Sequence, residues 1–316
     1  MKIVITGGGG FLGQRLARAL LAEAGVERLV VADLSATRGF EGDARVEALA
    51  ADLTSPSVAA SLAEGADAIF HLAAVVSGQA EAEFDVGMRV NLDATRTLLE
   101  AARGAGRRPR FLFSSSLAVF GPPLPAVITD ATAVHPQSSY GTQKAVGELL
   151  VCDYSRKGFV DGRVLRLPTV CVRPGAPNAA ASSFVSGIIR EPVNGQRAVC
   201  PVGRDLELWL SSPRTVVANL VRAALLPPEA LGASRILNLP GITVTVGGMI
   251  DALAEVAGRE AASRIDFAEI PAVKRIVASW PSRFDVGRAL ALGFAQDPDF
   301  PSIVRQFLEE RPPAVT

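Results

Sequence analysis

Tyr140 and Lys144 stand four residues apart in the run Tyr140-Gly141-Thr142-Gln143-Lys144, which continues helically through Val146, Leu149 and Leu150. That spacing puts a phenol and an ammonium on one helix face, a turn apart. The chain has 2 tyrosines and few lysines (Lys2, Lys144, Lys157, Lys274), so chance would produce such a pair only about once in forty sequences of this composition. A free phenol ionises near pH ~10, and a base working near pH 7 needs about 4 kcal/mol of differential stabilisation, which a neighbouring ammonium in a desolvated cleft can supply. Upstream, the apolar run Arg110 to Phe113 leads into Ser114-Ser115-Ser116, and Ser116 is placed to hydrogen-bond a reacting oxygen. The serines also suit a polar strand end or a helix cap.

A second chemical signal opens the chain. Thr6-Gly7-Gly8-Gly9-Gly10-Phe11-Leu12-Gly13 separates a short apolar run from a helical pattern. Gly7 and Gly10 suit a tight turn, Gly13 permits close packing, and the exposed N–H groups at the helix start can hold a pyrophosphate. Asp33 closes the next apolar run, where an acid can bind both adenosine ribose hydroxyls and repel a 2′-phosphate. The expected cofactor is therefore NAD, although Arg38 stands where it could instead meet the extra phosphate of NADP. Asp52-Leu53 ends the third apolar run and is placed either to meet the adenine edge or to cap the following helix.

The elements that must position these groups follow from periodicity. Strands are expected at Lys2 to Thr6, Arg28 to Asp33, Val46 to Ala51, Ala68 to Leu72, Arg110 to Ser115 and Arg163 to Leu167, with helical patterns between them. Long helices are expected over Glu81 to Ala105 and Ser138 to Ser155. The reading is α/β: a Rossmann-type doubly wound parallel sheet with a smaller, interleaved C-terminal substrate lobe. Residues 1–169, with 213–241 returning to them through a helix (Thr215 to Leu226) and a strand (Ile236 to Leu239), form the NAD-binding part. Residues 170–212 and 242–316 form the substrate lobe.

Composition narrows the function. In 316 residues, 49% hydrophobic and 20% charged, with 32 basic residues balancing 32 acidic ones, disorder is excluded and no overall field draws the chain to nucleic acid or a membrane surface. Cys152, Cys171 and Cys200 form no CxxC pair and read as reduced thiols, so no metal site is expected. No apolar run is long enough for a membrane span or a signal peptide, and a cytoplasmic location is expected.

Together, TGGGGFLG (Thr6 to Gly13), Asp33, DL (Asp52, Leu53), HLAA (His71 to Ala74), Asn91, SSSLAVFG (Ser114 to Gly121) and YGTQK (Tyr140 to Lys144) resemble the extended short-chain dehydrogenase/reductase family, which includes sugar-nucleotide epimerases and dehydratases. The resemblance implies that Ser116, Tyr140 and Lys144 are catalytic. It implies cofactor contacts at Gly7, Gly10, Phe11, Leu12, Asp33, Asp52, Leu53, Ala73, Asn91, Tyr140 and Lys144, with Asn91 fixing the helix and a water beside Lys144. His71 becomes a packed strand residue, while His135 has no partner in the sequence and reads as solvated. A homodimer built on the two long helices is expected from the same resemblance.

The second half departs from the sugar-nucleotide pattern, with Thr169 where an asparagine is usual and Arg204-Asp205 leading into an unfamiliar run. VRPGAPNAAASSF (Val172 to Phe184), SGIIREPVNG (Ser186 to Gly195) and WLSSPRTVVANLVRAA (Trp209 to Ala224) resemble a subgroup that oxidises the C2 hydroxyl of a four-carbon sugar acid with NAD. A small carboxylate favours an arginine fork. Arg173, Arg190, Arg197, Arg204 and Arg214 are available, and Arg173 or Arg190 is the expected contact. Ser77 is the first hydroxyl after HLAA able to touch a polyol, so the expected substrate set is Ser77, Ser116, Tyr140, Thr169, Arg173 and Arg190. The alternatives are a sugar-nucleotide epimerase or dehydratase, and a non-catalytic dinucleotide sensor.

Overall fold

The structure, a computed structural model, describes residues 1–35 and 37–310. Seven parallel strands form the central sheet: β1 (Lys2–Thr6), β2 (Arg28–Asp33), β3 (Val46–Ala50), β4 (Ala68–His71), β5 (Arg110–Ser116) and β6 (Asp161–Leu167), with one late strand. A small three-stranded sheet follows, from β7 (Thr169–Val170), β9 (Glu207–Ser211) and β11 (Ile242–Thr245), and a two-stranded one from β8 (Ala198–Cys200) and β12 (Ile265–Phe267). β10 is Ile236–Asn238. The late strand of the central sheet is β10, and the order is β10-β6-β5-β4-β1-β2-β3. The reversal between β1 and β4 is the switch point at which such sheets bind ligands, outside the carboxyl ends of the strands. The inner strands β1 and β4 are almost wholly buried and largely apolar, as expected of a parallel sheet covered on both faces, whereas β6 also buries Asp161, Arg163 and Arg166.

Helices α1 (Phe11–Ala22), α2 (Pro56–Ala63), α3 (Ser77–Ala82), α4 (Phe84–Gly87), α5 (Ala94–Ala105) and α6 (Ser139–Arg156) connect the early strands. Later come α7 (Ser183–Val193), α8 (Pro213–Leu225), α9 (Val246–Ala257), α10 (Arg259–Ala262), α11 (Pro271–Val277), α12 (Gly287–Ala291) and α13 (Phe300–Glu310). One core packs α1 and α8 against one face of the sheet, and a second packs α2, α5 and α6 against the other. A third core gathers Cys171 to Leu210 with Val246 to Phe307. Ala289 and Phe294 belong to the first core and Phe300 to Phe307 to the third, so the C-terminal segment serves both cores.

Boundaries differ from expectation at one informative place. The continuous helix expected from Glu81 to Ala105 is broken: α3 and α4 lead into a π-helical stretch, Met88–Asp93, before α5. Its extra residue per turn carries Asn91, whose amide accepts from Val75 N–H (2.9 Å) and donates to Val75 C=O (3.1 Å) and Gln143 Oε1 (2.8 Å). The chain also crosses repeatedly between sheets. At the crossing from β9 to α8, the buried Asp297 carboxylate accepts from Ser211 Oγ (2.9 Å), Ser212 N–H (2.8 Å), Ser212 Oγ (2.6 Å) and Thr215 Oγ1 (2.7 Å). Among the described residues no helix is long and apolar enough to cross a membrane.

Candidate active site

The glycine turn is compressed between β1, β2 and β4. Gly7 has φ of +71°, and a Cβ there would lie 2.6 Å from Ala73 N; one on Gly13 would lie 2.3 Å from Gly7 O. Gly13 therefore lets α1 close on the turn itself rather than on the sheet. Gly10 N–H donates to Gly7 O (3.1 Å), and α1 starts at Phe11 with no side-chain cap and no acid in its first turn. The first amides of a 12-residue helix are left for an anion. Asp33, at the end of β2, accepts from Gly9 N–H through Oδ2 (2.9 Å) and from Leu34 N–H through Oδ1 (2.8 Å), which fixes a carboxylate beside the turn. These donors and this acid suit a dinucleotide: amides for the pyrophosphate and a carboxylate for a ribose.

Two glycines press α6 onto β5 and the turn that follows it. A Cβ on Gly141 would lie 2.2 Å from Ala118 O, and one on Gly147 would lie 2.6 Å from Phe113 Cζ. Tyr140 and Lys144 are thereby carried to the strand end. Lys144 is 1% exposed, with Nζ 4.8 Å from the Phe113 ring centre and 5.7 Å from that of Tyr140. Of the three serines, Ser114 donates to His71 C=O (3.0 Å) and Ser115 to Glu148 Oε1 (2.5 Å). Glu148 is itself forked by Arg166 (2.9 and 2.7 Å) inside the core. Ser116 accepts from Ala118 N–H (3.1 Å) and keeps its own proton for the cleft.

Burial dominates the proton affinities. It pushes the Tyr140 phenol up to about 12, with the Ser116 hydroxyl pulling the other way. It pushes Lys144 down to about 8 against the pull of Glu148. Desolvation therefore sets the proton affinity of the phenol in the protein by itself, with the Ser116 hydroxyl as the opposing influence. His71 is driven to about 3 by burial and then by Lys144; its ring is held between Thr6 Oγ1 (2.7 Å) and Thr95 Oγ1 (2.8 Å). His135 does have a partner, Pro122 C=O at 2.6 Å from Nδ1.

One cleft of about 420 Å³ is lined by Gly7, Gly10, Phe11 and Leu12 at one end, by Ser116, Tyr140 and Lys144 in the middle, and by Ser77, Thr169 and Arg173 beyond. Five residues with expected cofactor contacts lie off this lining. Ala73 points to the core on the face opposite Leu72 and Ala74, Leu53 is buried against α2, and Asn91 is spent on Val75 and Gln143. Asp52 sits in the turn before α2, accepting from Thr54 N–H (2.9 Å) and Oγ1 (2.7 Å), and Asp33 is held by Gly9 beside the glycine turn.

The two candidate arginines separate. Arg190 is 4% exposed and off the lining; it donates to Arg173 C=O (2.9 Å) and Glu191 Oε1 (2.5 Å), so its guanidinium is engaged away from the cleft. Arg173 is half-buried on the lining, and its guanidinium has no hydrogen-bonded or ion-paired partner among the described residues. Burial and then the charge of Arg190 lower its proton affinity. The lining contains no aspartate or glutamate. Asn178, Ser182 and Trp280 also line it and were not singled out from the sequence. Only Trp280, one of 2 tryptophans and followed by Pro281, carried a signal, as a large ring in a loop.

Relatives give this geometry a context. The chain is 54% identical to D-erythronate dehydrogenase of Cupriavidus necator, with 98% of each chain covered. It is 53% identical to D-erythronate dehydrogenase of Haemophilus influenzae, over 98% of this chain and 99% of that one. A crystal structure described as a nucleoside-diphosphate-sugar epimerase from Agrobacterium tumefaciens superposes with a TM-score of 0.93 at 44% identity, covering 98% of this chain and 94% of that one. Residues 3–214 match the NAD dependent epimerase/dehydratase family. With that match and two relatives above half identity along nearly the whole length, this chain belongs to the NAD dependent epimerase/dehydratase family.

Proposed function

We propose that the protein oxidises the C2 hydroxyl of a small sugar acid with NAD, converting D-erythronate to 2-oxo-D-erythronate. The observation that carries this reading is the unpartnered Arg173 guanidinium, set in a carboxylate-free lining with Ser116, Tyr140 and Lys144. A fork of N–H donors without a counter-ion suits a substrate carboxylate. The D-erythronate dehydrogenases to which the chain is similar support the same acid.

The Gly7–Gly10 turn with the Phe11 and Leu12 amides would hold the pyrophosphate, Asp33 the adenosine ribose, and Lys144 the nicotinamide ribose. NAD, when bound, supplies the acceptor for the hydride leaving C2, and its oxidised ring is positively charged. Tyr140 Oη takes the hydroxyl proton, Ser116 donates to the same oxygen as it becomes a carbonyl, and Arg173 holds the neighbouring carboxylate. A phenol at about 12 lies about 5 kcal/mol from ionisation at pH 8. The base therefore forms only as positive charge gathers beside it, first from Lys144.

We read the molecule as a cytoplasmic homodimer in which α5 and α6 pair with their copies. The support is the family resemblance together with Leu149, an apolar residue 65% exposed on α6. We assign residues 1–169 and 213–241 to cofactor binding, and 170–212 and 242–316 to substrate binding. The deciding experiment follows NADH formation with D-erythronate for the wild type and Tyr140→Phe. The wild type is expected to turn over, and the variant to lose turnover while binding NAD nearly unchanged. A wild type inert toward sugar acids, or a variant that retains substantial activity, refutes the reading.

A further inference from the structure

Resting on the sugar-acid reading above, we propose that Ser77 and Gly78 set the length of acid the cleft accepts by latching residues 174–182 across α3. Between the small-sheet strand β7 and α7 this strap has no regular structure. It is tied by Ala181 N–H to Ser77 Oγ (3.1 Å) and by Asn178 N–H to Ser183 Oγ (3.1 Å). Asn178, Ala180 and Ser182 turn onto the cleft lining beside Ser77.

Gly78 explains how closely the strap is drawn in. It occupies the first turn of α3 without a left-handed φ, so its backbone does not call for glycine, and glycine there costs about 1 kcal/mol of helix propensity. A Cβ at this position would lie 2.0 Å from the Ala179 carbonyl oxygen, a backbone atom. Restoring ordinary contact at 3.4 Å displaces the strap by about 1.4 Å, close to one carbon–carbon bond of ~1.5 Å.

That displacement falls on the substrate's tail. With the carboxylate at Arg173 and the C2 oxygen at Ser116 and Tyr140, the remaining carbons face the strap and its latch. Arg173 itself stays put when the strap moves. Its N–H donates to Ser186 Oγ (3.0 Å), and its carbonyl accepts from Arg190 (2.9 Å), both anchors lying on α7. Length and charge are thus read by separable parts of one wall.

The test measures kcat/KM for two-, three-, four- and five-carbon aldonic acids with NAD, for the wild type, Gly78→Ala and Ser77→Ala, together with the Kd for NAD. Gly78→Ala is expected to raise the five-carbon to four-carbon ratio about tenfold or more, and Ser77→Ala about threefold, with Kd for NAD within about twofold of wild type. If Gly78→Ala does not fold, Ser77→Ala decides alone. Activity in the wild type with an unchanged length profile in the folded variants overturns this proposal and leaves the functional reading standing. A wild type inert toward every acid overturns both.

Discussion

Replacing Arg173 by methionine keeps the aliphatic stem and removes the fork. A hydrogen bond to a charged partner contributes about 1.5–3 kcal/mol, and a bidentate pair discounted for the half-exposed position contributes roughly 3–4 kcal/mol. At about 1.4 kcal/mol per factor of ten, kcat/KM for D-erythronate should fall about 100- to 1000-fold. The fold should hardly notice, because the guanidinium has no partner among the described residues to strand and stands against the like charge of Arg190. The assay is initial NADH formation with D-erythronate and with erythritol, a neutral polyol of equal length, alongside thermal unfolding. The variant should lose its preference for the acid and keep both its weak activity on the polyol and its melting temperature. A loss below threefold on the acid, or an equal loss on both compounds, would refute the assignment of Arg173 to the carboxylate.

Arg190→Met should behave in the opposite way, because it strips a buried partner from Glu191 and from the Arg173 carbonyl. A stability loss of about 3 kcal/mol or more is expected in urea titration, and a loss of activity without one would return Arg190 to the substrate. Asp33→Ala should raise the NADP to NAD ratio of kcat/KM, and an unchanged preference would remove Asp33 from cofactor selection. Lys144→Met should abolish turnover and stabilise the fold. The folded protein holds that proton less tightly than the unfolded chain, at about 8 against 10.5, a penalty of about 3 kcal/mol. The penalty is complete below pH 8 and fades as pH rises toward 10.5. The stability gap between variant and wild type should therefore close across that window, and a variant no more stable than wild type at pH 7 would contradict the buried-ammonium account.

Much of the sheet was legible because strands buried on both faces leave apolar runs; β1, β2 and the return of β10 follow from this, and that of α8 from its helical period. The π-helical stretch was not, since one added residue hardly disturbs a 3.6-residue period, yet it aims Asn91 at Val75 and Gln143. Tyr140, Lys144 and the glycine turn were readable because their spacing is local. Arg173 and Arg190 were not separable, because what distinguishes them is a tertiary fact: Glu191 and a carbonyl neutralise one and leave the other bare. Ala73 shows the converse. Its motif was recognised correctly, and the alternation of the backbone turned its side chain to the far face. The proton affinity of Tyr140 depends on its burial in the folded chain, which no spacing encodes.

The repeated crossings of the chain have a consequence for how the molecule is made and inherited. β10 completes the edge of the central sheet only after residue 238, and Asp297 seals the β9 to α8 junction later still. The central sheet and the β9 to α8 junction are therefore complete only once residues 238 and 297 have been made. A gene fragment ending at β6 would lack α8 and β10, and so would leave one face of the first core and the β6 edge of the sheet bare.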